Sequence, residues 1–233
     1  MAIVGTDEDQ VLNGTLGNDI IEGLGGADYI LADGNNDTPF GGKDTVSGGL
    51  GNDIVYAYVG DDQLFGYAGN DQLFAGTGND TAAGGAGNDR LHGEAGNDVL
   101  LGDDGDDLLI GGFGSDFLSG GAGNDTIESH AASVSDFVIE IDVMNGGPGS
   151  DTFRLRTDYL GSTGSLNPFV DRSHARIQDF VLGEDILDVK YGSGYGFNYR
   201  NYLGSRTLDT LISFQGDLVA IVQDVRLTSA NLT

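Results

Sequence analysis

The sequence contains no cysteine and no tryptophan, and it has only 3 prolines among 233 residues. Without cysteine, neither a disulfide framework nor a thiolate metal site can form. The scarcity of proline excludes a collagen-like or polyproline fibre, although glycine occurs 41 times. The glycines are therefore expected to serve turns.

Basic residues are also scarce, with 10 Lys and Arg against 37 Asp and Glu and a net charge of −27. Residues 1–154 hold 28 of the acidic residues and only 3 of the basic ones. Binding to nucleic acid or to an anionic membrane requires clustered Lys and Arg, so the composition argues against both and favours cations as partners. No run approaches the ~18 apolar residues of a membrane span. Residues 1–7 lack the basic and apolar regions of a signal peptide, so any export is expected not to depend on them.

A nine-residue repeat contains most of the glycine residues and most of the acidic residues. Three copies follow one another without a gap, at Gly84–His92, Gly93–Leu101 and Gly102–Ile110. The same register predicts a first domain, residues 1–154, of about fifteen nonapeptide units with insertions near 35–42 and 129–136. The remaining residues, 155–233, form a separate C-terminal region in this prediction.

The sixth and eighth positions of the repeat have different chemistry. The eighth is apolar in every unit, and the sixth is aspartate in all but the first. We expect the glycine-rich first six residues to turn and the last three to form a short strand whose middle side chain points inward. Nine residues then make half a coil, and the sequence predicts an all-β fold, a parallel β-roll that winds as a right-handed β-helix solenoid with two nonapeptides per coil.

Stacking the coils places the sixth-position aspartates in two columns. The even column contains Asp19, Asp44, Asp62, Asp80, Asp98, Asp116 and Asp142, and the odd column contains Asp28, Asp53, Asp71, Asp89, Asp107, Asp125 and Asp151. Carboxylates one coil apart repel by roughly 3 to 4 kcal/mol at an effective dielectric of 20. Cations between the turns would remove this repulsion, and oxygen ligands favour Ca²⁺ over Mg²⁺ or Zn²⁺. Asp7 and Asp33 lie outside the columns and are expected to matter less.

These units resemble the hemolysin-type calcium-binding repeat of RTX proteins, G-G-x-G-x-D-x-U-x, over about 150 residues. The resemblance implies several Ca²⁺ ions between same-side turns, bound by the sixth-position aspartates and by glycine carbonyls. It also implies secretion of an unfolded chain by a type I route and folding in extracellular calcium. The glycines to which the resemblance assigns such metal-binding carbonyls are Gly49, Gly51, Gly69, Gly78, Gly85, Gly87, Gly96, Gly105, Gly112, Gly114, Gly121 and Gly123.

Residues 155–233 are predicted to cap the roll and to carry a possible C-terminal secretion signal. Ile177–Asp188 is similar to the segment that closes RTX β-rolls, which implies a metal-binding role for Asp185. In that pattern an aspartate often stands where this chain has Ala175. Leu208–Gln223 reads as a β-hairpin around Gln215–Asp217.

No catalytic constellation is recognisable, and the chain is predicted not to be an enzyme. Two functions remain open. The protein is either a secreted structural or extracellular-matrix component that folds on calcium, or a calcium-dependent adhesion or polysaccharide-binding module that uses an aromatic loop, residues 191–202. The loop's tyrosines and phenylalanine could instead pack the cap against the roll.

Overall fold

The computed structural model describes residues 1–33, 41–129, 141–155, 174–182, 184–189, 195–200, 209–214 and 217–222. In these ranges the chain forms strands joined by turns. The strands are β1 (Ala2–Val4), β2 (Val11–Asn13), β3 (Ile20–Gly25), β4 (Tyr29–Leu31), β5 (Thr45–Leu50), β6 (Ile54–Tyr56), β7 (Gln63–Ala68), β8 (Gln72–Thr77), β9 (Thr81–Ala86), β10 (Arg90–Ala95), β11 (Val99–Asp104), β12 (Leu108–Phe113), β13 (Phe117–Ala122), β14 (Thr126–Ser129), β15 (Ile141–Asn145), β16 (Thr152–Leu155), β17 (His174–Ile177), β18 (Ile186–Val189), β19 (Tyr195–Arg200), β20 (Asp209–Phe214) and β21 (Asp217–Val222).

Successive strands alternate between two sheets. From β1 to β18, each strand pairs in parallel with the strand two places along the chain, so odd-numbered strands form one sheet and even-numbered strands the other. Leu91 of β10 is in register with Leu73 of β8 and with Leu109 of β12, which lie 18 residues away in each direction. One coil therefore contains two nonapeptides, and the predicted parallel β-roll is confirmed.

The regular strands are longer than predicted, and the turns are shorter. Strand β9 covers the last three positions of one repeat and the first three of the next, which leaves only positions four to six for the turn. Positions one to three were predicted to turn, and this prediction is wrong. The second position does have a positive φ, as at Gly85 (108°), but the residue stays in register with the neighbouring strands.

The core between the sheets consists mainly of eighth-position side chains, with one row from each sheet. From Ile21 to Phe153 these residues are fully buried, as the inward-facing prediction requires. Each coil contributes only two such side chains, each worth about 1.5 to 3 kcal/mol on burial. The core alone is thus thin for the number of residues that it orders.

Beyond Leu155 the described residues continue both sheets. Strand β17 follows β15, and β18 follows β16, both in parallel. Strand β21 then joins β17 in parallel and forms the predicted hairpin with β20, which in turn pairs with β19 in antiparallel fashion.

The aromatic segment predicted as a loop contains strand β19, which occupies the edge of the twelve-stranded sheet. Residues 191–194 and 201–202 of that segment, most of both insertions and residues 223–233 lie outside the described residues. In the part of the chain that the structure describes, no helix is long and apolar enough to cross a membrane.

Candidate metal site

The sixth-position aspartates lie on the turns at the two edges of the roll, and each is at most 3 % exposed. A neighbouring coil contacts each of them through a hydrogen bond. The backbone N–H of Asp71 donates to Oδ1 of Asp89, and that of Asp89 donates to Oδ1 of Asp107, both at 2.7 Å. The same bond recurs from Asp28 to Asp151 in the odd column and from Asp19 to Asp142 in the even column. The two predicted columns therefore exist as continuous ladders.

The second carboxylate oxygen, Oδ2, is buried without a hydrogen-bond partner along most of both columns. This holds for Asp28, Asp44, Asp53, Asp62, Asp71, Asp80, Asp89, Asp98, Asp107, Asp125 and Asp151. A buried anionic oxygen without a partner costs several kcal/mol, and such atoms are rare in folded proteins. A row of such oxygens indicates that a cation binds beside them in the folded protein.

The first-position glycines leave room beside these oxygens. A Cβ built on Gly102 would lie 2.3 Å from Oδ2 of Asp107 and 2.3 Å from the carbonyl oxygen of Gly120 in the next coil. At Gly66 the corresponding distances, to Asp71 and Gly84, are 2.4 and 2.5 Å. A carboxylate oxygen and a backbone carbonyl thus converge on one point, and only glycine leaves that point open.

The predicted fourth-position glycines also bring carbonyl oxygens between the turns. A Cβ on Gly105 would lie 1.8 Å from the carbonyl oxygen of Gly87, and one on Gly87 would lie 1.7 Å from that of Gly69. Among the described residues, no three His, Cys, Asp or Glu side chains are close enough to hold one ion together. An ion between the turns must therefore take part of its ligands from backbone carbonyls, which are hard oxygen ligands suited to Ca²⁺.

Burial makes these carboxylates difficult to ionise without a cation. Burial is the largest cause, and repulsion from neighbouring carboxylates adds to it, so the pKa of Asp62, Asp71, Asp98 and Asp107 rises to about 7. The pKa of Asp44, Asp80, Asp125 and Asp151 rises to about 6, again mainly through burial. Near neutral pH a bound cation would compensate the charge on these groups.

At the C-terminal end the two columns finish differently. Asp185, predicted from the family resemblance, accepts the N–H of Asp151 at 3.0 Å and so continues the odd column. Asp179, which was not predicted as a site residue, accepts the N–H groups of Gly146 and Gly147. In the even column Ala175 is in register with Asp142, so no carboxylate follows Asp142 there.

A second ladder, absent from the sequence analysis, runs through the fifth position. The N–H of Asn70 donates to Oδ1 of Asn52, and the N–H of Asn88 donates to Oδ1 of Asn70, both at 2.7 Å. In this ladder the acceptor is in the preceding coil, whereas in the aspartate ladder it is in the following coil. The recurrence of Asn, Asp and Ser at this position was the available signal.

Asp33, which was predicted to matter less than the column aspartates, is also buried and hydrogen-bonded. It is 2 % exposed, and its two carboxylate oxygens accept the N–H groups of Gly42 and Val59, both at 3.1 Å. The sequence register hid this role because Asp33 precedes the insertion of the fourth repeat and occupies a second position, not a sixth.

The chain also matches a known protein family. The family model of the RTX calcium-binding nonapeptide repeat matches residues 4–39, 40–73, 65–100, 74–109 and 101–131. A search of curated protein sequences gave no match.

Two solved structures align with the chain at low identity. One is the AlgE6R3 subunit of the mannuronan C5-epimerase from Azotobacter vinelandii, at 20% identity and a TM-score of 0.27, with 98% of this chain and 80% of that chain covered. The other is the extracellular lipase LipA from Serratia marcescens, at 16% identity and a TM-score of 0.31, with 100% of this chain and 40% of that chain covered.

Proposed function

Because the chain belongs to the RTX calcium-binding nonapeptide repeat family, we propose that it is a secreted protein whose β-roll folds when several Ca²⁺ ions enter between its turns. The observation that carries the proposal is the row of buried Oδ2 atoms without hydrogen-bond partners. Five of these aspartates face a carbonyl oxygen of the next coil across a first-position glycine, namely Asp28, Asp71, Asp98, Asp107 and Asp125. At Asp62 and Asp80 the first position is alanine.

Each ion would take Oδ2 of a sixth-position aspartate and carbonyl oxygens of the first, second or fourth positions in adjacent turns. In this arrangement Oδ1 continues to accept the N–H of the preceding coil, so the ladder and the ion do not compete for one oxygen. Mg²⁺ fits less well, because it demands octahedral geometry at shorter distances and dehydrates reluctantly. Bound ions would supply the attraction that the thin core lacks.

Calcium-dependent folding also suits a secreted protein. A chain with 37 acidic and 10 basic residues stays expanded when calcium is scarce, because its charges repel and little apolar surface can be buried. Extracellular calcium would then drive folding after export. Release of the protein into the medium, abolished by loss of the C-terminal residues, would support the type I route.

Calcium titration of the full chain, followed by circular dichroism after exhaustive chelation, tests the proposal. We expect little strand signal without calcium at pH 8 and a cooperative rise with a midpoint of ~10⁻⁴ to 10⁻³ M. Replacing Asp89 and Asp107 by Ala should raise the midpoint, whereas Asp7→Ala, at an exposed position, should not. Full strand content in excess chelator at pH 8 and low ionic strength would refute the proposal.

We further propose that the chain has a structural or matrix role and no catalytic activity of its own. The alternative, calcium-dependent adhesion or polysaccharide binding, now concerns an edge strand, since Tyr195–Arg200 forms β19. Replacing Tyr195 and Tyr199 by Ala separates the two. Loss of glycan or cell binding with unchanged calcium-dependent folding would favour the alternative, and loss of folding would assign both residues to the cap.

A further inference from the structure

Asp33 accepts backbone hydrogen bonds in the turn of the fourth repeat, which the insertion interrupts. In the regular coil that follows, the third-position N–H of Thr77 donates to the second-position carbonyl of Tyr58 at 2.7 Å. Val59 is the corresponding third-position residue one coil earlier, but its N–H donates to the carboxylate of Asp33. The N–H of Gly42 also donates to Asp33, whereas its counterpart in the next coil, Gly60, donates to the carbonyl of Thr77.

The repaired turn keeps the geometry of a regular one. A Cβ built on Gly60 would lie 1.6 Å from the carbonyl oxygen of Gly42, and a Cβ built on Gly78 would lie 1.5 Å from that of Gly60. The fourth-position carbonyl of Gly42 therefore faces the next turn in the regular manner. Here, however, the group that completes the turn is a carboxylate instead of a neutral carbonyl.

The extra charge stands close to two column aspartates. Asp33 interacts electrostatically with Asp44 and Asp62, whose Oδ2 atoms are buried and accept no hydrogen bond. Asp44 and Asp62 are each 2 % exposed. The three carboxylates are not close enough to hold one ion by themselves. Asp33 therefore acts beside the site, through its charge and its hydrogen bonds to the turn, and is not a third direct ligand.

Access to these turns is open. A groove of about 570 Å³ passes over them and is lined by Gly41, Gly42, Val59 and Gly60. At its rim the ammonium of Lys43 is paired with the carboxylate of Asp61, which is largely solvent-exposed. A cation from solution can therefore approach the turns through the groove.

We propose that Asp33 makes the site between the turns of Asp44 and Asp62 the tightest cation site of the roll. This inference rests on the proposed function, because it assumes that the columns bind Ca²⁺. The additional carboxylates beside other column aspartates are exposed, as Asp103 is beside Asp107, or half-buried, as Asp179 is beside Asp151. Asp33, in contrast, is only 2 % exposed. Charge count is one of the features by which oxygen sites set their calcium affinity.

The test is isothermal titration of the full chain with Ca²⁺ and with Tb³⁺, for the wild type, Asp33→Asn, Asp33→Gly and the exposed control Asp7→Asn. Asn keeps the shape and one acceptor oxygen, and Gly restores the residue of the repeat pattern. We expect both Asp33 variants to lose the tightest step, by about tenfold for Ca²⁺ and roughly thirtyfold for Tb³⁺. The larger loss follows because Coulomb attraction scales with the charge of the ion.

The ratio of the two losses distinguishes charge from a merely structural effect. Equal losses for both ions, or a tightest step that Asp33→Asn retains while its melting temperature falls, would reduce Asp33 to a hydrogen-bond repair and overturn the inference. Absence of calcium uptake by the wild type would instead overturn the proposed function, and this inference with it.

Discussion

Replacing Asp98 by Asn should affect the calcium-free and the calcium-bound roll in opposite directions. Oδ1 of Asp98 accepts the N–H of Asp80 at 2.8 Å, and an Asn Oδ1 can keep that bond. Oδ2 has no partner, and a Cβ on Gly93 would lie 2.5 Å both from this oxygen and from the carbonyl of Gly111. An amide N–H₂ in place of Oδ2 could donate to that carbonyl, whereas it could not bind a cation.

The magnitude follows from the pKa. Burial, with help from neighbouring carboxylates, raises the pKa of Asp98 from 3.8 to about 7. A shift of this size means that the ionised group disfavours the calcium-free fold by about 4 kcal/mol above pH 7, at ~1.4 kcal/mol per pKa unit. Asn carries no charge, so the variant should recover a large part of this amount without calcium.

The direction in which the stability of the calcium-free roll changes with pH can be measured. Because burial raises the folded-state pKa of Asp62, Asp71, Asp98 and Asp107 from 3.8 to about 7, the calcium-free roll binds more protons than the unfolded chain between about pH 4 and 7. Its stability therefore rises as the pH falls through that window. In excess chelator, circular dichroism from pH 8 to pH 5 should show strand formation on acidification, and Asp98→Asn should fold at a higher pH than the wild type.

With calcium at pH 8 the same variant should need a higher calcium concentration to fold. Asp104→Asn removes one charge from an exposed position and is the matched control, expected to shift neither transition appreciably. If Asp98→Asn impairs folding equally with and without calcium, the carboxylate is a structural hydrogen-bond acceptor, and the reasoning from unpartnered oxygens is wrong.

Substitutions at three further positions, with their controls, test the strand ends and the turn in saturating calcium by thermal denaturation. Gly102→Ala should destabilise the roll by about 1 to 3 kcal/mol, because its Cβ would overlap an oxygen on each side. Gly17→Ala, where a Cβ would meet only Oγ1 of Thr15 at 4.0 Å, should be nearly neutral. Asp103→Gly should be more stable than Asp103→Asn by up to about 1 kcal/mol, since both remove the charge but only Gly relieves the φ of 72°; equal stabilities would contradict that strain. Asn88→Ala should lose about 1 kcal/mol with the hydrogen bond from Asp106, whereas Asn88→Asp keeps an acceptor and should lose less.

The roll itself could be predicted from the sequence because its rules are local and repeat. A period of nine, one apolar position and one acidic position determine the strand, the inward side chain and the column, and Leu91 and Asp89 occupy the predicted places. The insertion-bearing repeat was less predictable. Asp33 acts on Val59, 26 residues away, and its role depends on which backbone acceptors the insertion removes.

The boundary between strand and turn was not predictable from glycine content alone. Glycine at the first position suggested a turn, but at Gly102 the missing side chain instead leaves space for Asp107, which reaches back across its own turn. Such a requirement depends on a side chain five residues away. Tyr67, Glu94 and Asp103 likewise have a positive φ although they are not glycine. Each of them is held in this conformation by strand pairing with the neighbouring coils.

The opposite directions of the two side-chain ladders explain why the roll needs a specific end. In these ladders a sixth-position N–H donates to a carboxylate in the following coil, and a fifth-position N–H donates to an acceptor in the preceding coil. At the last regular turn the repeat itself supplies no further carboxylate, and a buried donor without an acceptor would be costly. Asp185 accepts the N–H of Asp151, and Asp179 accepts those of Gly146 and Gly147, so the closing segment supplies carboxylates where the repeat no longer does. Replacing Asp185 by Ala should thus destabilise the last odd-column turn first, and hydrogen exchange should locate the loss at Asp151 and its neighbours before it reaches the centre of the roll.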